Sequence, residues 1–252
     1  MIHARQLSRH YGESSSRVTA LDGIDLEIES GARVGILGRS GSGKTTLLNL
    51  LAGLDRPTAG SLSVADKNLD KLPAIELAQY RRETVGVVFQ SFQLIPNRSA
   101  FQNVELPLIL AGMERAERKK RVAEAIDRVG LTLRRRHKPS QLSGGEQQRV
   151  AVARAMVTKP SVLLADEPTG NLDSQTAESV TQLMLDVVNE NESTLILITH
   201  DRRLAETCCD RIVELLDGRL LEPQNSSNHG SCLLYTSPSP RDRTRSRMPS
   251  SA

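Results

Sequence analysis

The segment Gly38-Arg-Ser-Gly-Ser-Gly-Lys-Thr45 lies between a short apolar run, Arg33-Val-Gly-Ile-Leu37, and a stretch carrying Leu47, Leu48, Leu50 and Leu51 at helical spacing. Strand, glycine-rich turn and helix in that order satisfy the pattern GxxxxGK[ST] in full. Glycines let successive backbone N–H groups turn inward around phosphate oxygens, and the helix N-terminus adds a partial positive charge. Gly38, Arg39, Ser40, Gly41, Ser42 and Gly43 then form a cradle. Lys44 is placed to neutralise the β- and γ-phosphates, the Thr45 hydroxyl can ligate Mg²⁺, and Thr46 is a further phosphate contact. This is a nucleotide phosphate site.

The rest of the pattern suits the same α/β architecture. Ser161-Val-Leu-Leu-Ala165 and Thr194-Leu-Ile-Leu-Ile-Thr199 are fully apolar, as strands buried on both faces are, and the span from Ala177 to Asn189 between them reads as helix. Val85-Gly-Val-Val-Phe-Gln90 reads as another strand. Leu21 to Glu29 alternates apolar and polar residues, as a half-buried strand does. A charged helix between Gly112 and Gly130 carries Val122, Ala125, Ile126 and Val129 on one face. The expectation is a parallel sheet covered on both faces. An antiparallel β region should lie around residues 2–30 and 60–65, and a mostly helical subdomain over about residues 91–159.

Composition narrows the function classes. No stretch approaches the ~18 consecutive apolar residues of a membrane span, and Met1–Gly12 lacks the apolar centre of a secretory signal. Trp is absent and Phe and Tyr number three each, too few for stacked platforms on single-stranded nucleic acid. The net charge of +3 belongs to the last 30 residues, where Arg241, Arg243, Arg245 and Arg247 face one Asp242. Residues 1–222 are balanced, which argues against nucleic acid as partner. The same 30 residues hold four prolines and eight serines, with no periodicity. Residues 223–252 are expected to be a disordered tail beyond a folded domain of residues 1–222. Ser231 to Asp242 also resembles translated sequencing-adapter DNA, which would make the tail an artefact. Cys208, Cys209 and Cys232 show no zinc spacing, and their odd number opposes a disulfide framework, in keeping with a reducing, cytosolic setting.

Two further motifs choose among nucleotide chemistries. Val162-Leu-Leu-Ala-Asp166 ends an apolar strand with an acid, the arrangement that holds Mg²⁺ beside phosphates. Glu167 follows at the C-terminal end of that strand, where open α/β sheets bind ligands. A carboxylate there can polarise a water for attack on the γ-phosphate. Leu142-Ser-Gly-Gly-Glu-Gln-Gln-Arg149 precedes a helix with Val150, Ala153 and Val157 on one face. Ser143, Gly144 and Gly145 at its N-terminus make a second anion site.

With these motifs in this order, residues 1–222 resemble the ATP-binding cassette (ABC) ATPases. In that family two cassettes pair head to tail, and the signature of one closes over the ATP held by the other. Glu146 stands where the commoner signature has Gln, and glutamate occurs in the subgroup this chain resembles. The resemblance implies a P-loop, RecA-like core, with Tyr11 stacking on adenine and Gln90 sensing Mg²⁺. It also implies that Asp173 of Asn171-Leu-Asp173 reaches across the dimer and that His200 contacts the γ-phosphate. Thr45, Gln90 and Asp166 would hold the metal, and Glu167, His200 and Lys44 would carry catalysis with ATP and Mg²⁺ as cofactors.

Finer likeness lies in Gly53-Leu-Asp-Arg-Pro-Thr58, Val87 to Pro96, Asn103 to Leu108 and Leu163 to Asp173. These segments are similar to bacterial cassettes serving lipoprotein release, macrolide-type efflux and cell division. The resemblance implies a homodimer of cassettes driving a separate integral-membrane permease at the cytoplasmic face of the inner membrane. Residues Phe92–Leu108 would receive the permease's coupling helix. A soluble ABC-type ATPase is the alternative. Against it, only 98 residues separate Lys44 from Leu142, without sustained heptads.

Overall fold

The computed structural model describes residues 1–12 and 17–221, so the expected tail from residue 223 lies outside the described residues. Two sheets form the frame. The first is antiparallel, in the order β2 (Val18–Ile28), β1 (Ile2–Tyr11), β4 (Ala59–Val64) and β5 (Lys67–Asn68). It occupies the expected N-terminal β region. The second sheet runs β10 (Arg219–Leu221), β9 (Arg211–Leu216), β3 (Arg33–Leu37), β8 (Thr194–Thr199), β7 (Val162–Asp166) and β6 (Val85–Phe89). Its strands from β9 to β6 are parallel, and β10 turns back antiparallel on β9.

The apolar strands are apolar because both faces are covered. Leu164, Ile196 and Ile198 point into a core shared with β1, β2, β4 and helix α1 (Lys44–Leu51). Leu163, Ala165, Leu195 and Leu197 point the other way, into a core with helix α6 (Ser174–Glu190). A third cluster joins α3 (Ala100–Leu110), α4 (Arg115–Arg128) and α5 (Gly144–Met156), with Val122, Ile126, Val150 and Ala153 buried in it. Helix α5 serves two cores at once, since its Val152, Ala155 and Met156 pack with the sheet while its Val150 and Ala153, with Val157 just past its end, pack with α3 and α4.

Element boundaries follow the local chemistry. Gly53 sits just past α1 at φ +63°, the left-handed position that ends helices. Asp173 caps α6 by accepting the Thr176 N–H at 3.0 Å, which starts that helix three residues before the apolar pattern suggested. Helices α2 (Ala74–Glu83) and α7 (Arg202–Cys208), with strands β9 and β10, carry no motif and were not read from the sequence. In α3, Pro107 interrupts the helical pattern, yet the helix starts on a full capping box between Ser99 and Gln102.

Candidate active site

The phosphate loop joins the end of β3 to α1, as its flanking pattern predicts. Gly43 holds φ +102°, and a Cβ there would come within 2.4 Å of the Ala20 carbonyl oxygen. At Gly38 a Cβ would meet the Leu215 carbonyl oxygen and Ser42 Oγ, each at 2.5 Å. Both positions therefore exclude any side chain. Gly43 places no side chain on the first turn of α1, so the N-terminal N–H groups of that helix are left for a ligand. Lys44 Nζ donates to the Gly38 and Arg39 carbonyls, both at 2.7 Å, and so spans the mouth of the loop. Ser42 is buried, and its Oγ has no partner among the described residues.

The loop rests on an element the motifs do not announce. The Ser42 backbone carbonyl accepts the Gly218 N–H at 3.0 Å, and Gly218 lies in the turn between β9 and β10. Alternation in Arg211-Ile-Val-Glu-Leu-Leu216, with Val213 and Leu215 buried, is the signal that marks this strand.

Asp166 and Glu167 leave the sheet side by side. Asp166 is in register with Phe89 of β6 and Ile198 of β8. Burial raises its pKa above the ordinary carboxylate value, the adjacent Glu167 charge raises it further, and Lys44 pulls it back. Glu167 takes a left-handed φ of +46° and donates its N–H to the Ile198 carbonyl at 2.8 Å. Its carboxylate takes three donors from the end of β8. Thr199 Oγ1 donates to Oε2 at 3.0 Å, while the His200 N–H and Nδ1 reach Oε1 at 2.9 and 2.6 Å. The His200 side chain is otherwise 73% exposed. Two acids, a lysine and a histidine thus converge on the strand ends facing the loop.

The remaining predicted residues take distinct places. Gln90 turns toward Asn171, with the Asn171 Nδ2 donating to the Gln90 carbonyl at 3.0 Å. Thr45 is exposed at the first turn of α1, and Thr46 is half-buried beside it. Tyr11 ends β1, donates its hydroxyl to Asp55 at 2.8 Å, and carries the Arg9 guanidinium over its ring at 4.5 Å from the centroid. Asp55 also pairs with Arg9 at 2.8 Å, so the aromatic is tied to the segment following α1. Ser143 caps α5, accepting the Glu146 N–H at 3.2 Å, while Glu146 Oε2 accepts the Ser143 N–H at 2.8 Å. Glu146 is thus the third-position acid of a capping box, which accounts for a glutamate there. Gly144 is half-buried, and Gly145 is buried with a Cβ position 2.3 Å from Thr176 Cγ2, so α5 packs directly on the start of α6.

Comparison with known proteins matches this geometry. The ABC transporter family pattern covers residues 21–170. The chain is 45% identical over 224 residues to the lipoprotein-releasing system ATP-binding protein LolD of Idiomarina loihiensis, spanning 89% of this chain and 98% of that protein. It is 46% identical over 221 residues to the macrolide export ATP-binding/permease protein MacB of Hyphomonas neptunium, spanning 88% of this chain and 34% of that longer protein. A solved dimer of an ATP-binding cassette in a post-hydrolysis state, bound to ADP and Pi, superposes with a TM-score of 0.80 at 41% identity, over 87% of this chain and 96% of that one. A phosphate loop, paired strand-end acids and a capped signature helix, matched over this length, show that the chain belongs to the ABC transporter family as an ATP-binding and ATP-hydrolysing cassette.

Proposed function

We propose that residues 1–222 form one ATPase domain, with a helical subdomain at about residues 91–159, and that two copies close head to tail over two ATP molecules. The closure drives a separate integral-membrane permease of the lipoprotein-release or efflux type at the cytoplasmic face of the bacterial inner membrane. The observation that carries the hydrolytic part is the fixing of Glu167 by Thr199 and His200 beside Asp166. In this reading Glu167 serves the space before the phosphate loop and Asp166 serves a cation.

The donor set suits Mg²⁺. The Thr45 hydroxyl, the Asp166 carboxylate and the Gln90 amide oxygen are hard oxygen ligands, and the unpartnered buried Ser42 Oγ marks a loop built for a polar guest. Mg²⁺ held there would supply charge neutralisation of the β- and γ-phosphates. The chain's own residues do the rest. Lys44 exchanges its loop carbonyls for phosphate oxygens, and the free N–H groups of α1 stabilise the negative charge that develops on them. Glu167 accepts a proton from the attacking water, and His200 holds the carboxylate in place. Ser143, Gly144 and Gly145 close on the partner's nucleotide, Tyr11 stacks on adenine, and Asp173 reaches toward the second cassette.

A cleft of about 550 Å³ between α2, β6, α3 and α5 supports permease docking. Leu106 and Pro107, from the proposed docking segment Phe92–Leu108, line it together with Phe89 and Leu110, and Arg81 and Arg82 add a cationic rim. Among the described residues no helix is long and apolar enough to cross a membrane. Affinity capture of the tagged chain from gently solubilised bacterial membranes tests this reading. An integral-membrane subunit should co-purify in proportion. Recovery of none would transfer the assignment to a soluble ABC-type ATPase.

A further inference from the structure

Gln148 lies five residues into α5 and is fully buried. Burying an amide costs free energy unless its hydrogen bonds are made, and in Gln148 only the NH2 end makes them, since Oε1 has no partner among the described residues. Its Nε2 donates to the Pro168 carbonyl at 2.5 Å and, at a longer 3.4 Å, to the Phe89 carbonyl. These two carbonyls stand where β7 and β6 leave the sheet, one residue after Glu167 and one residue before Gln90. Pro168 is itself buried and has no N–H. Its carbonyl is therefore the one backbone hydrogen-bonding group that residue offers, and Gln148 occupies it. The residue immediately before it, Glu167, holds a left-handed φ of +46° that a non-glycine residue adopts only when its surroundings enforce it.

The same helix reaches the other side of the site. Arg154, one and a half turns further on, donates to the Phe92 and Gln93 carbonyls, and both of those residues also have positive φ. At its N-terminus α5 carries Ser143 and Gly145. One rigid helix therefore holds the signature, the turn behind Glu167 and the segment after Gln90.

We infer that Gln148 is a positioning residue for Glu167, tying the signature helix to the turn that aims the catalytic carboxylate. This rests on Glu167 serving as the base. Movement of α5 when the signature engages the partner's nucleotide is then passed through one amide to the cassette's own Glu167. The β8 side of Glu167, through Thr199 and His200, fixes the carboxylate laterally, and Gln148 fixes the backbone that bears it.

Gln148→Met keeps the length and removes the donor. In the purified full chain, kcat for phosphate release should fall about ten-fold or more while KM for ATP stays within about two-fold, the pattern of an interaction that matters in the transition state alone. Placed in a Glu167→Gln background, the same substitution should change the residual rate by less than about two-fold, because a residue acting through Glu167 has nothing left to position. An equal fractional loss in both backgrounds, a rise in KM matching the loss, or wild-type kcat in Gln148→Met would each overturn the inference. Should Gln148→Met fail to fold, Gln148→Asn, which keeps the amide but shortens the reach, carries the same pair of comparisons with the same outcomes. Wild-type turnover in Glu167→Gln alone is a separate failure, that of the base itself.

Discussion

His200 Nδ1 lies 2.6 Å from Glu167 Oε1, and the His200 backbone N–H meets the same oxygen at 2.9 Å. One oxygen thus receives two donors from the end of β8, and Thr199 takes the other at 3.0 Å. Glu167→Gln keeps the shape and the oxygen facing His200 but removes the basic site. Phosphate release should drop by about 10²-fold or more, the usual worth of a general base. ATP binding and the proposed ATP-dependent pairing of two copies should persist, as followed by nucleotide titration and gel filtration. Unchanged turnover would remove Glu167 from that role.

Lys44 bridges two loop carbonyls at 2.7 Å each, at the mouth of the expected phosphate site. Lys44→Ala should weaken ATP binding about 10²-fold, or about 2.8 kcal/mol, measured with a fluorescent nucleotide. Equal affinity in the variant would show that the loop is not the phosphate site.

Asp166 is held above the ordinary carboxylate pKa by burial and by Glu167. The folded state then binds the proton more tightly than the unfolded chain. Stability is fully present below the unfolded value of 3.8 and is lost as pH rises through the raised folded pKa. The ionised acid is therefore a cost at neutral pH. Asp166→Asn should abolish hydrolysis and raise the melting temperature of the nucleotide-free protein at neutral pH. The gain should shrink as the pH approaches 3.8. A lower melting temperature at neutral pH contradicts this.

The Ser143–Glu146 box sets a different pH window. The Ser143 backbone N–H holds Glu146 below its ordinary 4.5, so its contribution is present above that value and lost as pH falls through the depressed folded pKa. Glu146→Ala should cost about 1 kcal/mol in denaturant unfolding, as a lost cap does. Glu146→Gln should cost far less at neutral pH and should flatten the acid dependence. Equal losses in the two variants would mean that the carboxylate does not act as a cap.

Gly145→Ala pits two effects against each other. Alanine gains about 1 kcal/mol in helix propensity, but its Cβ would sit 2.3 Å from Thr176 Cγ2. Overpacking costs about 1–3 kcal/mol, so net destabilisation is expected, with recovery in the Gly145→Ala, Thr176→Ser double variant. A more stable single variant would show that α5 and α6 separate freely.

Much of the site was legible because its parts are contiguous. Strand β3, the phosphate loop and α1 occupy consecutive residues, and the apolar runs of β7 and β8 mark burial on both faces. Strand β9 was missed although its alternation is visible, because it sits beside β3 only through a crossover and carries no motif. Nothing in the local pattern marks Gln148 either, since a glutamine on a helix reads as solvated until the helix packs against two strand ends.

The sequence by itself determined which short segments carry phosphate, acid and signature chemistry, because hydrogen bonding within a turn and side-chain periodicity are settled over a few residues. Only the tertiary structure decided what holds them. Thr199 and His200 reach Glu167 across parallel strands, Gly218 braces Ser42, and Gln148 fastens Pro168. The physical reason is that parallel strands pair through long crossovers, so which side chains meet at their ends depends on register and packing between distant segments, which local spacing does not record.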